Sequence, residues 1–435
     1  MKTFMSVLMG VSFCGSVLAS SGAYNNDLSD SRSLGNANAV TARADSPATN
    51  WFNPAGLSRL LKAESSATIM FESIDTEFAS TTGQRVDAEP GRFYIPSLFY
   101  SHPLKDGFAY GLGVSSPYGL ITEWEDPLTN YVTTYASLKP IILNPNLSYA
   151  INETLSVALG VDFAYATGLL KRKINQTFLN SFLNQVVTGN SALLISSDGE
   201  IKLDGEDLAI GGNAALLWTP EEEWSLGLSY RSSIDLNLDG TATLNGLNGF
   251  AASVFGGSQY EVDASVSLPI PATVTAGIAF KPWVGTTFEF DLEWAQWSTV
   301  DEFKVKYSGE SNPLRLAILN AGNPIPKDWR DTWNSSFGVE QNISDVLTVY
   351  GGTRYRPTAI PEKSFDPIVP TVTLLDVMGG FSVHFEQARL DFVLAQVFGL
   401  ARDIDNTVGN DVGTSIDGKY SIEALVFGVT FMHIY

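Results

Sequence analysis

Side chains able to do covalent chemistry are few here, and poorly spaced for it. Histidine occurs only as His102, His384 and His433. Two sit beside short polar turns and one near the chain end, on different predicted strands with no paired nucleophile motif. A lipolytic site would need a serine and a histidine meeting on adjacent strands, and that motif context is missing. The one cysteine, Cys14, falls in an N-terminal leader, which leaves the mature chain without disulfides or thiolate chemistry. Metal-ligand spacings and phosphate-cradling glycine loops are also missing, so no catalytic residues, metal or cofactor are expected. A recognition element is present instead. Ile174, Phe178, Phe182 and Val186 recur every four residues, with Leu179, Leu183 and Val187 in the adjacent row and Asn175, Asn180, Ser181, Asn184 and Gln185 opposite. This spacing predicts a short amphipathic helix with an uncharged polar side. On an outer loop its apolar stripe would capture an amphiphile or pack against another loop.

Composition limits what can position such an element. Of 435 residues, 44% are hydrophobic and 17% charged, and no run reaches the ~18 uncharged apolar residues of a spanning helix. Only a closed barrel could then place the chain in a membrane. The formal net charge of −21 argues against nucleic acid or bare anionic lipid as partner, while divalent cations at an anionic cell surface remain compatible. Residues 1–19 read as a signal peptide: Lys2 is the charged end, Phe4 to Phe13 the apolar centre, and Val17 and Ala19 the small-residue cleavage signal, with cleavage after Ala23 competing. The chain is therefore expected to be exported.

The strands announce themselves by period. Leu155, Val157, Leu159, Val161, Phe163 and Tyr165 alternate with Ser156, Ala158, Gly160, Asp162 and Ala164, one apolar face and one small or polar face. Phe288, Phe290, Leu292 and Trp294 alternate with Glu289, Asp291 and Glu293, a face suited to a wet lumen. A soluble sandwich would alternate too, but export, strand length and aromatic strand ends favour lipid outside. Six short polar turns, near residues 103–107, 151–154, 219–223, 281–285, 342–345 and 385–388, separate seven long loops. Six turns join twelve strands and each end adds one, giving about fourteen. The chain ends on Leu425, Phe427, Val429, Phe431 and Tyr435 of one face, like the closing strand of an outer-membrane barrel.

One stretch alternates nowhere. Residues 20–57, closing on Asn53-Pro54-Ala55-Gly56-Leu57, are small, with mostly Ala as apolar content, and cannot build a core without a surrounding wall. They read as a hatch inside the barrel formed by residues 58–435, with both chain ends at the short-turn, periplasmic end. Asn53 and Pro54 give a defined corner where hatch meets wall.

Leader, small-residue hatch ending in Asn53-Pro54-Ala55, then about fourteen strands: over nearly the whole mature chain this resembles the FadL-type long-chain fatty-acid transporter family of the Gram-negative outer membrane (OMPP1/FadL/TodX). Ser33-Leu34-Gly35-Asn36-Ala37, Tyr118-Gly119-Leu120-Ile121-Thr122-Glu123-Trp124 and the helical loop after Tyr165-Ala166 carry the likeness. It implies an all-β transmembrane barrel plugged by its N-terminus and monomeric among outer-membrane lipid and lipopolysaccharide. An outer groove between loops, a deeper apolar pocket and a side opening at an inward kink of the third strand are also implied. Gly119 is a sensible kink residue, since glycine bends a strand. Arg172, in Lys171-Arg172-Lys173, and Arg330, before Asp331, match positions where the family carries cations near the ligand head group. A guanidinium there would return to an entering carboxylate the hydration it loses. Arg172, Arg330, Ile174, Phe178, Phe182 and Leu183 are thus the expected ligand residues, and Asn53, Pro54, Ala55 and Gly119 the gate. Passive uptake of long-chain fatty acids is the expected function. Neutral hydrophobics such as monoaromatic hydrocarbons on the same frame are the alternative, and the hatch disfavours a water-filled porin.

Overall fold

The computed structural model describes residues 23–43, 45–410 and 413–435; the expected leader and Cys14 lie outside them. The described residues form a closed antiparallel barrel of fourteen strands. These are β1 (Glu64–Ser80), β2 (Gly91–Pro103), β3 (Phe108–Ser115, resuming at Leu120–Glu123), β4 (Tyr135–Ala150), β5 (Leu155–Ile174), β6 (Gly199–Glu221) and β7 (Trp224–Arg231, then Ile234–Asn245). There follow β8 (Gln259–Ile270, then Thr273–Trp283), β9 (Thr286–Ala295), β10 (Thr332–Asn342), β11 (Leu347–Arg356), β12 (Thr373–His384), β13 (Ala388–Leu400) and β14 (Gly418–Ile434). Closure is made by β1 against β14, in register from Glu64↔Ile434 to Ser80↔Gly418. The six short turns fall where the sequence placed them.

Outward positions are apolar and exposed, as at Leu159, Ile210, Leu394 and Phe427, the pattern that lipid and not water accommodates. Two aromatic bands bound this surface: Phe108, Tyr149, Trp218, Trp224 and Trp283 toward the short turns, and Tyr230, Trp333, Tyr355 and Phe398 toward the long loops.

The lumen is filled by the chain's own start. Residues 23–60 include two short helices, α1 (Ser31–Gly35), capped by the Asp30 carboxylate accepting from Ser33 N–H at 2.8 Å, and α2 (Thr49–Phe52), followed by a 3-10 turn over Pro54–Arg59. Close approach to the wall explains both sets of small residues. A side chain at Gly227 would begin 2.0 Å from the Thr41 carbonyl oxygen, and one at Gly338 2.5 Å from that of Asn36. Glu289 and Asp291, expected to face a wet lumen, are instead buried against this plug. A second expectation is corrected as well. The chain ends beside Ala63 at the short-turn end, but Ala23–Asn26 lie at the long-loop end, where the Tyr24 ring packs on Trp297 (4.9 Å between centroids) and Trp329 (5.8 Å). The plug thus descends the lumen before entering β1, because an aromatic cluster under the loops holds its upper end.

Three loop helices cap the long-loop end: α3 (Gln176–Thr188), α4 (Gly249–Phe255) and α5 (Pro313–Leu319). Ala251, Phe255 and Leu319 join Ile201, Leu244, Leu247 and Val262 in a small separate core there, with Leu179 of α3 packed against it.

Candidate functional site

The site has three parts stacked along the lumen. Uppermost is an apolar cavity of about 110 Å³. Leu138 of β4, Leu170 of β5, Leu203 of β6 and Leu238 of β7 wall it, Tyr24 of the hatch floors it, and Phe303 and Ile368 come from the loops. Leucines arrive there because the inward positions of β4 to β7 turn apolar above the hatch. Behind Phe303 lies a buried ion pair between Lys327 and Asp366, with the Lys327 ammonium 4.5 Å from the Phe303 ring centroid. A cation is thus held one ring away from an apolar chamber.

Beside the cavity, β3 is interrupted. Ser115 pairs with Ile142 and Leu120 with Leu138, so four residues, 116–119, face three, 139–141. The extra residue lets the strand leave the ladder, and the hatch takes up its main chain. Asn25 and Tyr118 form an isolated bridge, Gly119 N–H donates to Tyr24 C=O at 2.8 Å, and Asn26 N–H to Pro117 C=O at 2.9 Å. Gly119 therefore lies at the interruption, within a four-residue excursion and not alone as its kink. Tyr118 faces a lower, polar cavity of about 60 Å³ shared with Asp27, Arg231, Arg354 and Arg356, whereas Leu120 faces the apolar one. The Asn25–Tyr118 bridge is the partition between them.

Beneath, the hatch is held by charge and amide. The Glu289 carboxylate accepts from Ala42 N–H (2.6 Å) and Arg43 Nε (2.7 Å), and Asp291 accepts from Val40 N–H (3.1 Å) and Thr41 N–H (3.0 Å). Glu340 of β10 takes Arg32 Nε at 2.9 Å and Arg43 Nη1 at 3.1 Å. Arg231 lies over the Trp51 ring at 3.6 Å while pairing with Asp162 at 2.5 Å. Asn53 is fully buried; its amide donates to Thr41 C=O (2.6 Å) and Leu216 C=O (3.0 Å), and its oxygen caps Ala55 N–H (3.1 Å). Pro54 and Ala55 are buried beside it. These anchors on the wall were only half visible beforehand. The Glu289–Asp291 row stood out, but its use needed the hatch opposite.

Two expected ligand residues stand elsewhere. Arg172 projects from the upper end of β5, with Nη1 3.5 Å from Tyr131 C=O. Arg330 is exposed and edges an open cleft with Tyr355, Glu362 and Arg402. Neither is among the residues lining the apolar cavity, so the structure does not bring the two arginines together there as the expected clamp requires. Short local likeness carried residue type but not the path of the loops that place it. Ile174 ends β5 and does not enter the helix. The helix itself is present as α3, capped by Asn175 accepting from Phe178 N–H (3.0 Å) and closed by Gly189 at φ +73°. The outermost row of its apolar stripe stays exposed and its amide row is buried. Gln176, Asn180 and Asn184 are buried by amide bonds, as from Asn180 to Ser196 Oγ (3.0 Å) and Gln176 to Gly246 C=O (2.7 Å). Phe178 and Phe182 remain more than half exposed, while Leu183 is buried. An uncharged amide can be buried when every hydrogen bond is met, which periodicity alone does not register. His102 meets the Tyr100 hydroxyl (3.1 Å) and His384 the Thr348 hydroxyl (2.9 Å).

Set beside known proteins, residues 12–435 match the model of the family described as outer membrane protein transport protein (OMPP1/FadL/TodX). A long-chain fatty acid transport protein of Escherichia coli O6:H1 (strain CFT073) is 24% identical over 384 residues, 83% of this chain and 81% of that one. Among solved structures, a FadL homologue from Pseudomonas aeruginosa superposes with a TM-score of 0.83 at 19% identity, covering 95% of this chain and all of that one. The toluene transporter TbuX of Ralstonia pickettii gives 0.69 at 17%, covering 94% and 99%.

Proposed function

The chain belongs to the OMPP1/FadL/TodX family of outer membrane transport proteins, and from that premise we propose that it takes up long-chain fatty acids passively, through a hatch-gated barrel with release through the wall. One observation carries this reading: a single apolar cavity is bounded both by the hatch, at Tyr24, and by Leu120, the first residue after the interruption of β3. A ligand filling it presses on the partition and on the broken strand at once. Burial of an alkyl chain stabilises the complex by about 0.8 kcal/mol per methylene, so capture needs no energy source. The outward stripe of Phe178 and Phe182 on α3 provides an initial landing surface above the cavity. Lys327 meets the chamber's edge by way of Phe303, and in this reading a fatty-acid carboxylate competes with Asp366 for it.

A second reading, uptake of neutral hydrocarbons, is favoured by the cavity wall itself. Among the described residues it contains no Lys or Arg, and Lys327 is matched by Asp366. Growth on oleate of a host lacking its own fatty-acid porin, with and without this protein, separates the readings. Growth restored by the protein supports the fatty-acid importer. Alkane uptake without growth on oleate moves the assignment to the second. The double replacement Lys327→Met with Asp366→Asn, which leaves no orphan charge, is expected to weaken oleate binding about tenfold and alkane binding little.

A further inference from the structure

The barrel wall is interrupted a second time, between β6 and β7. Asn213 pairs with Arg231 and Glu206 with Asp239. From one pair to the next there are seven steps along β6 and eight along β7. The surplus residue sits at Ser232-Ser233, and its neighbour strand bends with it at Pro271-Ala272, since Arg231 pairs with Thr273 and Ile234 with Ile270. Across the bend the inward side chains of β7 change parity, from Ser225 and Arg231 below to Ile234, Leu236 and Leu238 above. The upper hairpin of β7 and β8 thereby leaves β6, and residues 207–211 keep their ladder to β5 alone.

The break is finished at both ends by side chains. The Asp207 carboxylate accepts from Leu208 N–H (2.7 Å) and from Asn237 N–H across the gap (2.7 Å), and the Ser232 hydroxyl accepts from Gly212 N–H (2.9 Å). Edge amides supplied with such partners form a stable margin, whereas a chance defect would leave them unmet. On β6 the buried inward positions Asn213, Ala215 and Leu217 give way between Leu203 and Gly212 to side chains that are all at least partly accessible, while Ile234 and Leu236 on the facing margin stay buried and the Ile234 side chain lies against Gly211.

Two features say what would use it. The apolar cavity reaches this margin, with Leu203, Gly205 and Leu238 in its wall. The gap also begins one residue above Tyr230 of the upper aromatic band, the level of the outer-leaflet interface. Its outer rim carries Glu206, Asp235 and Asp239, with Lys202 engaged by Asp204 at 3.1 Å; a carboxylate approaching this rim is repelled. We propose that the β6–β7 interruption is a side entrance to the apolar cavity for uncharged apolar molecules dissolved at the outer-leaflet interface. The inference rests on that cavity being the binding chamber, but not on fatty acid being its main occupant.

The test narrows the gap from within and then removes it. Ala209→Trp places a large ring on an inward position of the margin. Deleting Ser233 together with Ala272 restores seven steps against seven and lets the ladder zip shut. Heat-modifiable migration in detergent gels reports whether each barrel has assembled. Uptake of a tritiated n-alkane by cells, and alkane-diazirine photolabelling of the purified protein, are then compared with growth on oleate. Whichever variant assembles is expected to lose alkane uptake at least fivefold and photoadducts at residues 208–211 and 234–238, with growth on oleate within twofold of the parent. Unchanged alkane uptake in an assembled variant overturns the entrance. Equal loss of alkane and oleate overturns its selectivity for uncharged molecules. Absence of oleate growth in the parent itself counts only against the fatty-acid reading, because the alkane arm is read independently. Failure of both variants to assemble overturns the proposal as well, for it would make the break a requirement of the wall.

Discussion

The lower and upper halves of the lumen solve opposite problems with the same strands. Below, the hatch is fixed by directed bonds: the Glu289, Asp291 and Glu340 carboxylates each meet named N–H groups or guanidiniums at 2.6 to 3.1 Å. Above, leucines from four strands enclose a mainly apolar space. Directed bonds fix one partner in one place, whereas an apolar wall offers contacts that any alkyl group satisfies. One strand can serve both because its inward residues change character along its length.

This contrast predicts a hierarchy of mutational effects. The largest belongs to the seal. Glu289→Ala takes the buried acceptor from the Ala42 amide and from Arg43 Nε and leaves Arg43 its ion pair with Glu340, a loss of about 2–3 kcal/mol for the hatch packing. The barrel is expected to assemble and to admit small sugars in liposome swelling; swelling no faster than the parent's would show that the plug is held elsewhere. Asn53→Ala removes two donated bonds and one cap, about 2 kcal/mol, and is expected to lower oleate uptake at normal surface levels. Unaltered uptake would take the corner out of the gating path. In the chamber, Leu138→Ala is expected to change ligand affinity by only about 1 kcal/mol, because lost contact area is partly recovered by a mobile chain. Its swelling rate should equal the parent's, and a leak there would break the division between halves.

The smallest effect concerns the loop cap. The Tyr260 hydroxyl and the Asn312 N–H hold Glu310 down at about 2. A lowered carboxylate contributes fully above its unfolded value near 4.3 and loses its contribution as pH falls through the folded value. Hydrogen exchange of residues 308–319 is therefore expected to show no pH-dependent loosening between pH 7 and 5 beyond the intrinsic rate. Loosening in that window would place the pin in another group.

What could be read in advance follows from which forces are periodic. Lipid on one side and a plug on the other impose a period of two on every strand, so the fourteen strands, their turns and the non-alternating hatch were all visible. Helix α3 was visible too, at Phe178, Phe182 and Leu183. Which of its faces is buried was not, since Asn180 is buried through partners distant in sequence, Ser196 and Asn248. Arg172 and Arg330 were misplaced for a related reason: a short match fixes neighbours in the chain, while long loops decide neighbours in space. The break between β6 and β7 depends on one surplus residue at Ser232-Ser233, and a single miscount is invisible until both partners' registers are known. Lys327 gave no signal either, for its meaning comes from Asp366 and Phe303, both remote in sequence.

The wall's seam has a consequence for how the barrel closes. The Thr430 hydroxyl of β14 accepts from Ser31 N–H of the hatch at 2.9 Å and shares a hydrogen bond of 2.7 Å with the Thr68 hydroxyl of β1. One oxygen, on the strand that closes the barrel against β1, thus touches the plug and the first strand together. Closing the seam and seating the cork share that oxygen: a cylinder shut without its hatch would keep the bond to Thr68 but lose the one from Ser31, so the occupied pore is the better satisfied of the two.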